Sequence, residues 1–184
     1  MAISFELPFS SGEKEMHRLL HVDSRENPTS TLLTPFAAYQ LYHAPLLAVG
    51  AIDEEGWPWT SVWGGESGFA QPLSGSIVGL QTKVERQFDP VVQILMKGAD
   101  ESGVVKAEGK GKMIGGLTVD LQNRKRVKLF GHLIAGALPH PDEDSTDLSK
   151  ATELQLAVKI DQSLGKYSIN SAAITSLVLT QMIR

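Results

Sequence analysis

The stretch PLLAVGAIDEEGWPWTSVWGGESG, residues 45–68, reads as two apolar strands folded back on each other. Residues 46–52 make the first and 57–63 the second. Asp53-Glu54-Glu55-Gly56 is the turn, where Gly56 supplies the positive φ that a short hairpin loop needs. The first strand is nearly all apolar, which predicts cover on both faces. The second alternates, with Trp57, Trp59, Ser61 and Trp63 on one side and Pro58, Thr60, Val62 and Gly64 on the other. All three tryptophans of the chain then share a face. The strand runs out in Gly64-Gly65, a pair that fits either a turn or a backbone cradle for a ligand.

Outward from this hairpin, the flanks carry the punctuation of short helices and further strands. Residues 11–21 (SGEKEMHRLLH) form a helix with Ser11 as the expected cap, acidic residues in the first turn, and Met16, Leu19 and Leu20 as an apolar stripe. A second helix starts at Pro35, capped by Thr34, and stops at Ala44-Pro45. Residues 76–82 read as a strand and 89–96 as a short helix opened by Asp89-Pro90. Two long strands follow at 112–121 and 124–138, joined by Gln122-Asn123. After an acidic loop at 140–147, residues 153–162 alternate cleanly, with Leu154, Leu156, Val158 and Ile160 set against Gln155, Ala157, Lys159 and Asp161. About six strands joined by hairpins, with three short helices, predict a mainly β, mostly antiparallel barrel with helices at its rim.

Composition narrows the function. A chain of 184 residues with 42% hydrophobic and 21% charged residues is one ordinary globular domain. It has no cysteine, which excludes disulfides, thiolate metal sites and a cysteine nucleophile and suits a reducing, cytoplasmic setting. A net charge of −4 argues against nucleic-acid binding, and no apolar run approaches a membrane span. Glu13, His17 and His21 are spaced for one helix face but lack a fourth metal ligand, so a solvated face is the simpler reading. The run from Gly109 to Gly116 mimics a dinucleotide fingerprint with its last glycine misplaced, and reads better as a bulged or closely packed strand. His43, His132 and His140 receive no role. No general acid–base pair or activated nucleophile emerges, so any redox chemistry would belong to a cofactor.

The sharpest charged feature is Arg124-Lys125-Arg126-Val127-Lys128. On a strand, Arg124, Arg126 and Lys128 project to one face about 7 Å apart. A phosphate ester among them is one reading; a solvated hairpin end, with Asp120 and neighbouring acids as partners, is the other. The tryptophans likewise suit a flat heteroaromatic ligand, the core, or a dimer contact.

Four ordered segments resemble a known family: GEKEMHRLLH with SRENPTS, the hairpin through GGESGFA, FDPVV, and NRKRVKLFGHLIAGAL followed by ELQLAVKIDQSLG. Together they are similar to the FMN-binding split-barrel proteins of the pyridoxamine 5′-phosphate oxidase-like type, in particular to modules that precede a ferredoxin-reductase-type domain. The resemblance implies a six-stranded antiparallel split β-barrel over residues 12–165, flanked by an N-terminal extension at 1–11 and a divergent tail at 166–184. It also implies a homodimer with FMN at the subunit interface, a small-molecule substrate, and a reductase partner supplying electrons. Carried onto this chain, it nominates Ser61, Val62, Trp63 and Gly64 beside the flavin, Arg124, Arg126 and Lys128 at its phosphate, and Gln162 and Ser163 near the end of the last strand. Trp57 and Trp59 are left to packing. The sequence departs from the family after Gly165, where an Asn-Cys-Pro element is missing and Lys166-Tyr167-Ser168-Ile169-Asn170 follows directly. The expected activity is flavin-mediated hydride or electron transfer to a small acceptor; the alternative is a split barrel without flavin that serves as a ligand-binding or dimerisation module.

Overall fold

The computed structural model describes residues 7–22, 27–122, 125–139 and 152–165. Helix α1 (Ser11–Leu19) is capped by Ser10 rather than Ser11. The Ser10 hydroxyl accepts from the Glu13 amide while the Glu13 carboxylate accepts from the Ser10 amide at 2.8 Å, satisfying two otherwise orphaned donors. Its apolar stripe stays exposed, and the helix buries no residue. Strand β1 (Thr29–Ser30) and helix α2 (Pro35–His43) follow, the latter capped by Thr34 with Pro35 in the first turn, as its sequence predicts.

The hairpin forms from β2 (Leu46–Ile52) and β3 (Pro58–Gly64), with Leu46 opposite Gly64 and Ile52 opposite Pro58. Gly56 closes the turn at φ +88°. Beyond it lie β4 (Ala70–Pro72), β5 (Ile77–Val84), α3 (Pro90–Met96), β6 (Val104–Lys106), β7 (Met113–Val119), β8 (Lys128–Ala137) and β9 (Thr152–Leu164). Gly109 and Gly111 sit in the turn before β7 with positive φ, so only Gly115 and Gly116 of that glycine run are in a strand.

Every strand pairing is antiparallel, and the sheet runs β3-β2-β7-β8-β9-β5-β4. The sheet curls so that β3, at one end of this path, meets β5, next to its other end, where Thr82 Oγ1 on β5 donates to the Gly64 carbonyl on β3 at 2.8 Å. Six strands therefore enclose one core, with the split between β3 and β5. The architecture is the expected one, mainly β with helices at the edge. The three short strands β1, β4 and β6 only flank the barrel; pieces of two or three residues leave no periodicity in the sequence to read.

Alternation sorts the barrel residues into two sets. Leu47, Val49, Ala51, Ile114, Leu129, Leu133, Leu154, Leu156, Val158 and Ile160 point inward and are buried. Helix α3 packs against β2, β3 and β8, burying Val91, Val92, Leu95 and Met96. The outer face of β2 is only half-buried, against the expectation of full cover on both sides.

The largest departure lies at the basic run. The strands expected at 112–121 and 124–138 are shorter, and β8 begins only at Lys128. The Val127 amide donates to the Thr118 hydroxyl at 2.8 Å, which takes that N–H out of the backbone ladder. Lys125 and Arg126 thus precede the strand, so Lys128 but not Arg126 stands on β8, and Arg124 lies outside the described residues. The acidic loop at 140–147 and the tail at 166–184 also lie outside the described residues.

Candidate functional site

The nominated residues fall on opposite sides of the barrel wall. Ser61 and Trp63 face inward, where both are held by Asp89 at the N-terminus of α3. Ser61 Oγ donates to Asp89 Oδ1 at 2.6 Å, and the Trp63 indole N–H donates to Asp89 Oδ2 at 2.7 Å. The same carboxylate accepts from the Val91 and Val92 amides, so it caps the helix and ties it to β3. Trp63 is only 3% exposed and belongs to the core. Ser163 is buried as well, its hydroxyl donating to the Leu32 carbonyl at 2.7 Å. These three residues are structural.

Val62, Gly64, Lys128 and Gln162 face outward. Strand register then does what sequence separation hides. Val62 lies opposite Ala48, Ala48 opposite Leu117, Leu117 opposite Lys128, and Lys128 opposite Leu164, one continuous row across β3, β2, β7, β8 and β9. At about 4.8 Å per strand, Lys128 stands roughly 14 Å from Val62 along this row. The next row is Thr60, Gly50, Gly115, Phe130 and Gln162. Its paired glycines leave a shallow floor: a Cβ on Gly115 would meet nothing within 4 Å, and one on Gly50 would make only ordinary contacts. Val62 is 63% exposed, and Phe130 and Met113 are also open to solvent, so the floor is bordered by unpaired apolar surface. Arg126, exposed just ahead of β8, adds a second cation beside Lys128.

A third row brings in residues that local sequence pattern does not single out. Met113 is opposite His132, and His132 is opposite Lys159. A bulge in the β8–β9 pairing leaves Asp161 as an extra residue between Ile160 and Gln162, which turns both Asp161 and Gln162 outward. Asp161 Oδ2 accepts a hydrogen bond of 2.6 Å from His132 Nδ1. The imidazole is 5% exposed, with the Phe130 ring edge-on to it at 5.6 Å. The parity of β8 puts Lys128, Phe130 and His132 on one face and the alternation of β9 puts Asp161 there too; what the sequence hides is the bulge, which adds Gln162 to that face and returns Ser163 to the core.

Trp57 and Trp59 are not packed, in contrast to their sequence reading. Both are exposed at the turn, where Asp53 accepts from the Trp57 amide and, at 2.8 Å, from the Trp59 indole. Those bonds, the Trp59 indole first, hold the Asp53 carboxyl below its ordinary value of 3.8. Beside this turn, a groove of about 420 Å³ runs between β2, β3 and α3, past Asp53, Glu54, Trp59, Lys97 and Lys112. Lys112 closes its floor by donating to the Ile94, Leu95 and Lys97 carbonyls at the end of α3. Burial, then the neighbouring Lys97, push its ammonium below the usual lysine value. None of the nominated residues lines this groove.

At the far end of the chain, Glu13 is engaged by the Ser10 cap and His17 stacks edge-on against Phe9. Among the described residues, no group of three or more histidines and carboxylates is placed to hold a metal.

The chain is similar to a protein from Lactobacillus delbrueckii assigned as a pyridoxamine 5′-phosphate oxidase, at 13% identity over 74% of this chain and 96% of the other, with a TM-score of 0.45. It is similar to an FMN-binding protein from Syntrophomonas wolfei, at 10% identity over 87% and 97% of the two chains, TM-score 0.41. It is also similar to a heme storage protein from Vibrio cholerae, at 9% identity over 73% and 96%, TM-score 0.42. Its structural neighbours include proteins of the pyridoxamine 5′-phosphate oxidase family. No family model and no curated protein matches the chain.

Proposed function

We propose that the outer face of the barrel binds FMN and that the protein is a flavin-dependent oxidoreductase-type domain acting on a small-molecule acceptor. The observation that carries this reading is the register that sets Lys128 and Gln162 on the same exposed face as the Gly50–Gly115 floor and Val62. Lys128, with Arg126 beside it, offers charge-assisted hydrogen bonds to a phosphate. The paired glycines and Phe130 offer a flat, apolar seat for a heteroaromatic ring, and Gln162 offers amide hydrogen bonds at its edge. When bound, FMN supplies hydride and single-electron transfer, which no side chain of this protein provides unaided. The chain's own work is to bind, orient and desolvate.

Val62, Met113, Phe130 and Ile134 are exposed apolar residues of the barrel surface, and a second copy of the chain would cover them. On this reading the working form is a homodimer, with the flavin between its subunits and electrons arriving from a reductase partner. The cytoplasm suits a chain without cysteine. The same exposed surface favours one other reading, a dimerisation or ligand-binding module that carries no flavin.

The phosphate role is tested with Arg126→Ala/Lys128→Ala, titrated with FMN and with riboflavin. The double variant is expected to lose about 100-fold in affinity for FMN, the equivalent of ~3 kcal/mol for two charge-assisted bonds, and little for riboflavin. Equal losses for both ligands would remove the phosphate from this face.

A further inference from the structure

We propose that His132, held by Asp161, is the proton-handling group of the outer-face site and furnishes the proton taken up when the bound flavin is reduced. This rests on the reading that FMN occupies that face. Three observations place the pair there. His132 has the same strand parity as Lys128 and Phe130, so all three lie on the outer side of β8, the His132 ring buried there at 5% exposure. Lys128 and His132 are four residues apart, roughly 13 Å along the strand, the scale on which a ligand with its phosphate at Lys128 and its ring over the glycine floor extends. Between them, Phe130 lies beside Gly115 on one side and Gln162 on the other, so His132 borders that floor.

The chemistry follows from which nitrogen is committed. Nδ1–H donates to Asp161, which fixes ring orientation and tautomer and leaves Nε2 as the atom that exchanges a proton. Asp161 also gives the imidazolium a counter-charge while it holds its second proton. Alternation along β9 already sets Asp161 on the face opposite Leu154, Leu156, Val158 and Ile160; the bulge keeps it beside Gln162 on that outer face and returns Ser163 to the core. The charged neighbours of the ring are Asp161 and Lys159 on β9, while Met113, opposite on β7, is uncharged.

Bound FMN would supply hydride chemistry here: a reduced nicotinamide would transfer a hydride, two electrons and one proton, as its C–H bond breaks, leaving one negative charge to be neutralised. His132 would neutralise it by releasing its Nε2 proton and becoming neutral, and solvent would return that proton. Atoms and charge balance with no further reactant.

The midpoint potential of protein-bound FMN, measured by equilibrium reductive titration from pH 5.5 to 8.5, tests this. In the wild type the potential is expected to change slope within this range. His132→Gln is expected to abolish that change of slope. Asp161→Asn, which keeps a side-chain partner for Nδ1 but removes the counter-charge, is expected to shift the break and covers the case that the glutamine variant fails to fold. A merely structural role would weaken FMN binding and leave the slope intact. An unchanged slope in both variants overturns the proposal while leaving FMN binding in place. A wild-type protein that binds no FMN overturns instead the reading on which it rests.

Discussion

Asp89 shows how one side chain fixes a whole corner. Its carboxylate accepts from Ser61, Trp63, Val91 and Val92, joining a strand, an indole and a helix terminus 26 to 28 residues away in sequence from its strand partners. Asp89→Ala strands four donors in a half-buried setting and is expected to cost roughly 3 kcal/mol, from a lost cap and unsatisfied partners together. Urea unfolding followed by tryptophan fluorescence measures it; a loss below about 1 kcal/mol would mean that water replaces the carboxylate. Sequence alone put Ser61 and Trp63 beside a ligand because nothing local in it shows that Asp89 claims them. Gly115 makes the opposite case. Because a Cβ there meets nothing, Gly115→Val is expected to fold and to gain up to about 1 kcal/mol from a β-branched residue in a strand interior. The same substitution fills the floor of the proposed site and should reduce FMN affinity at least tenfold. Retained affinity in a stable variant would move the flavin off this floor.

At the scale of elements, strands with clean alternation were legible and their irregularities were not. The buried set Leu154, Leu156, Val158 and Ile160 falls where the alternation of β9 puts it, and the Gly56 hairpin closes as its composition predicts. The bulge at Asp161 and the early end of β7 depend on contacts with other strands, so no window of sequence carries them. Gly131 sits at that bulge, and a Cβ on it would collide with the Lys159 carbonyl. Gly131→Ala is accordingly expected to lower the urea midpoint sharply and to release Asp161 from His132. The β2–β3 turn responds to acid. Asp53 has a depressed carboxyl in the folded state, so its stabilising effect is complete above 3.8 and is lost as pH falls through the lower folded value. Thermal melts from pH 5 to 2 should show Asp53→Asn losing less stability on acidification than wild type; parallel curves would mean that the turn does not sense this proton.

Over the whole molecule, closure of the sheet decides what each face can do. Thr82 on β5 reaches Gly64 on β3, so the inner residues become one core and the outer ones become a continuous surface. That surface gathers Val62, Gly50, Gly115, Lys128, Phe130 and Gln162 from five strands, with His132 buried on the same side of β8. The barrel itself was readable from strand patterning, whereas the division of the nominated residues between core and surface required the register. The central claim is that this surface binds FMN. Titrating the native chain into micromolar FMN and following flavin fluorescence tests it most directly. Saturable quenching with one flavin per chain is the predicted result, and fluorescence that stays unchanged at protein concentrations well above micromolar would contradict it.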